Sequence, residues 1–359
     1  MRAPLRLERR TDVARLRRAL IPIIAVVAAL IVGALVLWLS GIAPLDAYAE
    51  MWTSSLGSAR GITATLLRAA PLILTGLAVS FALRMQLWNI GAEGQLLLGA
   101  TGATAVCFAL PTLPGFLLIP LAAIGAAVAG AAWAMIAAIP RALIGLNEII
   151  TTLFLNYIAL RLVSLLVYGP WKDPGAIGFA YSRKIPEQGL MGTIWGTDVT
   201  SGILLSIACV LLTWWALGRT RWGFSTQILG GNPRAGDYLG LNSTRRVLSV
   251  LAISGALAGL AGFLQLTAAT GRLQPDIASG YGYTGILLAF LAGRSLLMVP
   301  VVALLFSALI QGGYSLQAEG LKSSISVIMQ AVVILFVLIG GAAATYRVRW
   351  NWTGSKVQP

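Results

Sequence analysis

Trp88 to Gln95 reads WNIGAEGQ and lies between two long apolar runs. It brings together an asparagine (Asn89), a carboxylate (Glu93) and a glutamine (Gln95). A charged side chain at the centre of a bilayer helix costs about 2.5–3.5 kcal/mol on insertion scales, so a partner must offset it. Glu93 in the first turn of the following helix would meet the positive end of that helix's dipole, worth about 0.3–1 kcal/mol. Asn89 is placed to cap the same helix. Gly91 and Gly94 let the backbone turn and another helix approach closely. Three roles fit these residue types: a packed and hydrogen-bonded helix break, direct contact with a solute, or part of a moving gate.

A second polar cluster reads GLNEIITTLFLN. Glu148, Thr152 and Asn156 recur every four residues and share one helix face, with Asn147 and Thr151 beside them. Such a stripe on a membrane helix faces other helices or a watery path, not lipid. Interhelical hydrogen bonding and lining of that path are the two readings. A third cluster, Thr270–Gly285, reads TGRLQPDIASGYGYTG. Its Tyr281 and Tyr283 alternate with Gly280 and Gly282, which suits either interface anchoring or stacking on a planar ligand.

The elements that position these clusters are membrane helices. Of 359 residues, 58% are hydrophobic and 11% charged, against about a quarter charged in soluble domains. The mean hydropathy is +0.84. The apolar runs are long and do not alternate with period two, which favours helices over an outer-membrane barrel. The chain has no histidine, so a histidine proton relay or metal site is excluded. Cys107 and Cys209 fall inside apolar runs and read as small buried hydrophobes. The net charge of +14 follows from basic residues beside the spans and does not imply nucleic acid.

The expected fold is all-α and polytopic, with about ten transmembrane helices and both termini in the cytoplasm. A basic N-terminus (1–20) precedes a transmembrane domain (21–346) and a cytoplasmic tail (347–359). The spans are expected near 21–41, 61–83, 95–110, 116–139, 146–168, 202–218, 247–269, 286–293, 297–314 and 325–345. Residues 43–59, with Asp46, Glu50 and Trp52, read as an outer interfacial turn, and 169–198 as the long outer loop. On this layout 18 Lys/Arg lie inside and 6 outside, so the positive-inside rule sets the orientation. The layout puts Glu93 at the cytoplasmic end of span 3 and the 270–285 break on the outer side. Spans 2–5 and 7–10 each begin with a helix followed by a glycine-rich break, in opposite orientation. That order is the pattern of an inverted repeat. Gly125, Ala129 and Gly130, and also Gly255 and Gly259, mark close helix contacts.

The inner loop 219–246 is basic and patterned. Gly231-Asn232-Pro233 predicts a turn followed by a short helix near Arg234–Leu239. Arg221, Arg234, Arg245 and Arg246 suit an acidic partner surface. A phosphate-cradling Walker A loop needs a Gly-Lys pair. The four lysines follow Trp171, Arg183, Leu321 and Ser355, so this chain has none and no catalytic site emerges.

WNIGAEGQ, GLNEIITTLFLNYIAL, GGNPRAGDYLGLN, SGALAGLAG and GYGYTGI occur in that order. Together they resemble the permease subunits of bacterial ABC importers related to ribose and branched-chain amino acid permeases. Within that group they are most similar to nucleoside permeases of the simple-sugar type. The resemblance implies a multi-pass protein of the bacterial inner (plasma) membrane that moves nucleosides inward by alternating access. A monosaccharide of the ribose or galactose type is the alternative substrate, and an ion-coupled secondary transporter the alternative class. The implied partners are an extracytoplasmic substrate-binding lipoprotein, a second homologous permease and a cytoplasmic ABC ATPase with two fused nucleotide-binding modules. ATP and Mg would be used by that ATPase, with no cofactor bound by this chain and no enzyme activity of its own. The path or gate would be drawn from Asn89, Glu93, Gln95, Asn147, Glu148, Thr151, Thr152, Asn156, Tyr281 and Tyr283. Coupling to the ATPase would fall to Gly231, Asn232, Pro233, Arg234, Ala235, Tyr238 and Gly240. Asp237 stands where relatives more often have a small or basic residue.

Overall fold

The structure is a computed structural model. It describes residues 5–9, 15–176, 178–194, 196–293, 295–318 and 346–350, with short helical pieces between 327 and 340. Most of the expected span 325–345, Lys322 and the end of the tail with Lys356 lie outside the described residues. The chain divides into two units, 58–308 and a second formed by 1–57 with 309–359.

In the terminal unit, α1 (Arg15–Leu39) is followed by α2 (Pro44–Ser55). The expected interfacial turn is therefore a helix. Pro44 opens it at a position where no N–H is needed, and it folds back at 116° to the end of α1. The Tyr48 hydroxyl donates to the Leu30 carbonyl at 2.6 Å and fastens the pair. Strand β1 (Leu5–Arg9) pairs antiparallel with β2 (Tyr346–Trp350), an addition to the expected all-helical fold.

The other unit is built on α3 (Ala59–Ala82), α4 (Ala92–Ala109), α5 (Gly115–Ile144), α6 (Glu148–Tyr168) and α7 (Gly202–Arg219). The short α8 (Arg221–Gly231) and α9 (Pro233–Tyr238) follow. Then come α10 (Ser243–Leu264), α11 (Tyr281–Ala292) and the start of α12 (Val299–Ala318). Ser58, Asn147, Thr220, Asn232 and Asn242 cap α3, α6, α8, α9 and α10 through their side chains. Each accepts a backbone N–H that the first turn leaves unpaired.

Among the described residues six helices are long and apolar enough to cross a membrane, or seven if the bent α1–α2 pair is one span. Two of the ten expected spans differ in kind. At about 1.5 Å per residue, the 12 residues of α11 reach little more than half of a hydrocarbon core of about 30 Å. Helix α4 begins with Glu93 and Gln95 in place of a fully apolar face.

Helices α3 and α10 form the centre. Their apolar windows are 78% and 67% buried, against 22% and 28% for α5 and α6. The contacts are backbone to backbone because lipid tails offer no hydrophobic drive between helices. A Cβ on Gly259 would run into the Ala126 carbonyl, and one on Gly99 into Gly259. A Cβ on Gly262 would strike the Leu96 carbonyl. On the other side, Gly76 of α3 packs on Leu288 of α11, and Gly285 of α11 on Thr75 of α3. The expected contacts at Gly125, Ala129, Gly130 and Gly255 are all present, with Gly99 and Gly102 added to them.

Candidate functional site: the meeting of two interrupted helices

The two glycine-rich breaks, expected at opposite membrane faces, meet. Glu93 in the first turn of α4 accepts from Gly280 N at 2.9 Å and from Gly282 N at 2.7 Å. Its carboxylate therefore caps the N-terminus of α11, not only that of its own helix. Both helices are interrupted because each starts from an irregular segment that re-enters the bundle. Such backbone is tolerated at membrane depth only inside protein or against a watery cavity. Gly282 permits the approach, since a Cβ there would overlap the Glu93 backbone. Gly280 (φ +77°) and Ser279 (φ +47°) stand in consecutive left-handed conformations just before α11, unusual for a serine.

The rest of the first break is held by side chains from three helices. Asn89 does not cap α4, whose N-cap position is Gly91 without a side-chain bond. It donates to Gln95 Oε1 at 2.7 Å and to Ser254 Oγ on α10 at 2.8 Å, and its own oxygen accepts from Gln95 Nε2. Ser254 in turn donates to the Ala78 carbonyl of α3. Asn156 of α6 accepts from Gly94 N and donates to the Ile90 carbonyl, both at 2.9 Å, clipping the break from outside. It also reaches the Tyr283 hydroxyl at 3.2 Å.

The predicted stripe Glu148–Thr152–Asn156 is buried along one face of α6, as the spacing required. Glu148 joins three elements. Its carboxylate accepts from Trp88 N at 3.3 Å and pairs with Arg141 at the end of α5 at 3.1 Å. Thr152 bonds the Glu148 carbonyl and packs on Gly91. Asn147 is the exposed N-cap of α6, and Thr151 donates to the Asn147 carbonyl. Tyr281 is buried, and Tyr283 is 40% exposed. Arg141 is partly exposed, so its half of the ion pair is screened by solvent. Arg141→Ala is expected to cost under about 1 kcal/mol. Glu148→Ala also orphans Trp88 N–H and should cost about 1–3 kcal/mol. Thermal unfolding of the two variants in detergent checks the order.

Beside Glu93 lies a cavity of about 490 Å³, lined by Glu93, Asn156, Tyr157, Asp276, Ser279 and Tyr283 among others. This is within the range of about 300–1,000 Å³ usual for small-molecule sites. Of the ten path residues expected from sequence, Glu93, Asn156 and Tyr283 line it. The others pack around it or, like Asn147 and Thr151, hold the start of α6. Tyr157 and Asp276 were missed. Tyr157 follows Asn156 in the polar run, and Asp276 is an acid inside the second break; both signals were present in the sequence.

The inner loop forms the two predicted elements. Asn232 Oδ1 accepts from Ala235 N at 3.3 Å, and Pro233 is the first helical residue of α9. Gly240 ends the turn at φ +68°. Tyr238 is 93% exposed and Leu239 is exposed beside it. Gly231, Arg234 and Ala235 are all on this segment. Helix α8 packs under the end of α3, where Gly230 abuts the Arg84 carbonyl. A polar cavity of about 440 Å³ lined by Ser80, Arg84, Gln86, Gln227 and Gly230 lies between them.

On the other side of the bundle, residues 181–191 pair with the segment after α10. Ser182 N donates to the Leu273 carbonyl, and Leu273 N to Ser182 Oγ. Arg272 sits over the Tyr181 ring and Arg183 over Phe108.

Residues 61–338 match the family described as branched-chain amino acid transport system / permease component. A glucose ABC transporter permease protein of Haloferax volcanii is 38% identical, over 91% of this chain and 89% of the relative. A guanosine ABC transporter permease protein of Bacillus subtilis is 32% identical, over 94% and 97%. A nucleoside ABC transporter permease protein of Lactococcus lactis is 31% identical, over 90% and 91%. No solved structure matches.

Proposed function

The chain belongs to the family of branched-chain amino acid transport system permease components, and from that premise we propose that it is the membrane subunit of an ABC importer that passes nucleosides inward. It is a multi-pass protein of the inner membrane. One observation carries the reading: two interrupted helices meet at Glu93 beside a cavity into which Glu93, Asn156 and Tyr283 bring polar groups. Broken helices at a midplane site are the usual construction of a transport path. The guanosine and nucleoside permeases, at 31–32% identity over nearly the whole chain, support the substrate. A sugar is the second reading, favoured by the glucose permease relative at 38%.

Alternating access needs an inner handle. The α8–α9 loop fits it, because Tyr238 and Leu239 are apolar yet exposed on a polar segment. A docked ATPase would cover them. Motion there would pass through α8 and the Arg84 backbone into the segment 86–91 that leads to Glu93. Gln86, at φ +55°, is the bend in that segment. A second permease and a substrate-binding lipoprotein complete the assembly.

The cytoplasmic termini, the total of about ten spans and the inverted repeat belong to the same proposal. The pairing of β1 with β2 supports termini on one side of the membrane and so an even number of spans. The repeat is supported by a crossed packing, in which α3 rests on α11 and α10 on α4 through glycines.

Reconstitution of the chain with its ATPase, partner permease and lipoprotein tests the function. Labelled guanosine is expected to accumulate only with ATP and lipoprotein. Accumulation driven by a proton gradient without ATP overturns it, and accumulation of glucose alone selects the sugar reading. Tyr238→Ala is expected to weaken ATPase association about thirtyfold, the loss of one central aromatic contact of about 2 kcal/mol. Pull-down of the ATPase over a concentration series measures it.

A further inference from the structure

The cavity beside Glu93 holds a definite set of chemical groups. Glu93 is already committed, because its two oxygens accept the Gly280 and Gly282 N–H groups. Asn156 is committed too, to Gly94, Ile90 and Tyr283. Asp276 is not: among the described residues no hydrogen bond or ion pair reaches its carboxylate, although its own carbonyl accepts from Ser279. The Tyr157 hydroxyl is likewise without a protein partner among the described residues and stands 62% exposed. Asp276 follows Leu273, which is fully buried, and precedes Ile277, also fully buried. Asp276 is exposed and lines the cavity; a carboxylate in a membrane chain cannot face lipid without a large penalty, so it faces a watery path.

The cavity also lacks any lysine or arginine among its lining residues. The start of a half-helix is the usual seat for a substrate's anionic group. Here that seat is filled by the chain's own Glu93. A carboxylate or phosphate on a solute would meet two acidic side chains and no free cation. Hydroxyl groups would meet a carboxylate acceptor, and two tyrosine rings to pack against.

We propose that Asp276, with Tyr157, reads the hydroxyl groups of a neutral polyhydroxylated solute in this cavity, so that the permease itself selects substrate in addition to any selection on delivery. The proposal rests on the importer reading above and adds a specificity-determining residue to it. The carboxylate of Asp276 accepts from adjacent hydroxyls, such as the two on a ribose ring, and the solute's ring lies between Tyr157 and Tyr283. The role explains why an acid is placed where it has no structural partner.

The test compares uptake of guanosine with uptake of its 2′,3′-dideoxy analogue by the complete importer, in wild type and in Asp276→Ala and Tyr157→Phe. Glucose and a dideoxyglucose form the parallel pair if sugar is the substrate. Selection on delivery is the same for every variant, so the change in the ratio isolates the permease. Asp276→Ala is expected to lower guanosine uptake about tenfold or more, and uptake of the dideoxy analogue less than twofold, because only guanosine loses a hydrogen bond to a charged acceptor. Tyr157→Phe is expected to lower the ratio by a smaller factor. An equal fall for both solutes with Asp276→Ala, or no change for either, overturns the proposal. Absence of ATP-driven uptake of both solute pairs by the wild type is a different result, and marks failure of the importer reading.

Discussion

Glu93→Ala is expected to abolish uptake and to lower the folded yield of the permease. Two backbone donors, Gly280 N and Gly282 N, end on this one carboxylate. Glu93 is 9% exposed, so water replaces it poorly. Each orphaned buried donor costs about 1–3 kcal/mol, and together they cost about 2–6 kcal/mol. That is a large part of the margin of an ordinary fold, about 5–15 kcal/mol. The first turn of α11 rests on the backbone of α4 at the same point, so losing the bond also frees the junction of the two half-helices. Glu93→Gln should fall between, because an amide oxygen can serve one donor while its NH₂ opposes the other. Glu93→Asp should behave like Gln, being one methylene short of the pair. Yield and thermal midpoint of the three variants in detergent establish the order. Uptake by Glu93→Ala near wild type, with a normal midpoint, would show that the carboxylate is not the tie between the breaks.

This junction marks where the sequence was readable and where it was not. Local features were legible. The turn at Asn232-Pro233, the face shared by Glu148, Thr152 and Asn156, and the glycine spacing in α10 each depend on neighbours within a few residues. The partner of Glu93 lies 187 residues away, and nothing local specifies it. Positive-inside counting placed the two breaks by the charges flanking them, Arg84 before one and Arg272 before the other. The Arg84 backbone meets α8 and Arg272 meets Tyr181 of the 181–191 segment, but the chain after each re-enters the bundle, which a charge count cannot see. Asn89 shows the same limit: it has a capping residue's identity, but it stands two residues before the N-cap and its side chain is taken by Gln95 and Ser254. Asp276 carries no local pattern that separates it from a solvated acid in a loop; only the fold brings it to the cavity beside Glu93.

Gly259→Leu is expected to prevent folding altogether. At Gly259 three helices cross: its Cβ position overlaps the Ala126 carbonyl of α5 and lies 3.1 Å from Gly130 Cα, and Gly99 of α4 closes the other side. Overpacking a core costs about 1–3 kcal/mol where side chains can give way. Here the neighbours are backbone atoms of helices that are themselves fixed by further glycine contacts, so α10 must move as a body. Moving it separates Ser254 from Asn89 and the α4 backbone from Gly262, and so reaches the junction at Glu93 from behind. Gly259→Ala should already lower the thermal midpoint clearly. Gly231→Ala is the matched control. Nothing lies within 4 Å of its Cβ position, so its effect on stability should stay within about 0.5 kcal/mol. Fluorescence-detected size exclusion separates the cases: Gly231→Ala elutes as the wild type, and Gly259→Leu gives aggregate or no peak. A sharp wild-type peak from Gly259→Leu would mean that α4, α5 and α10 do not pack backbone to backbone at this crossing.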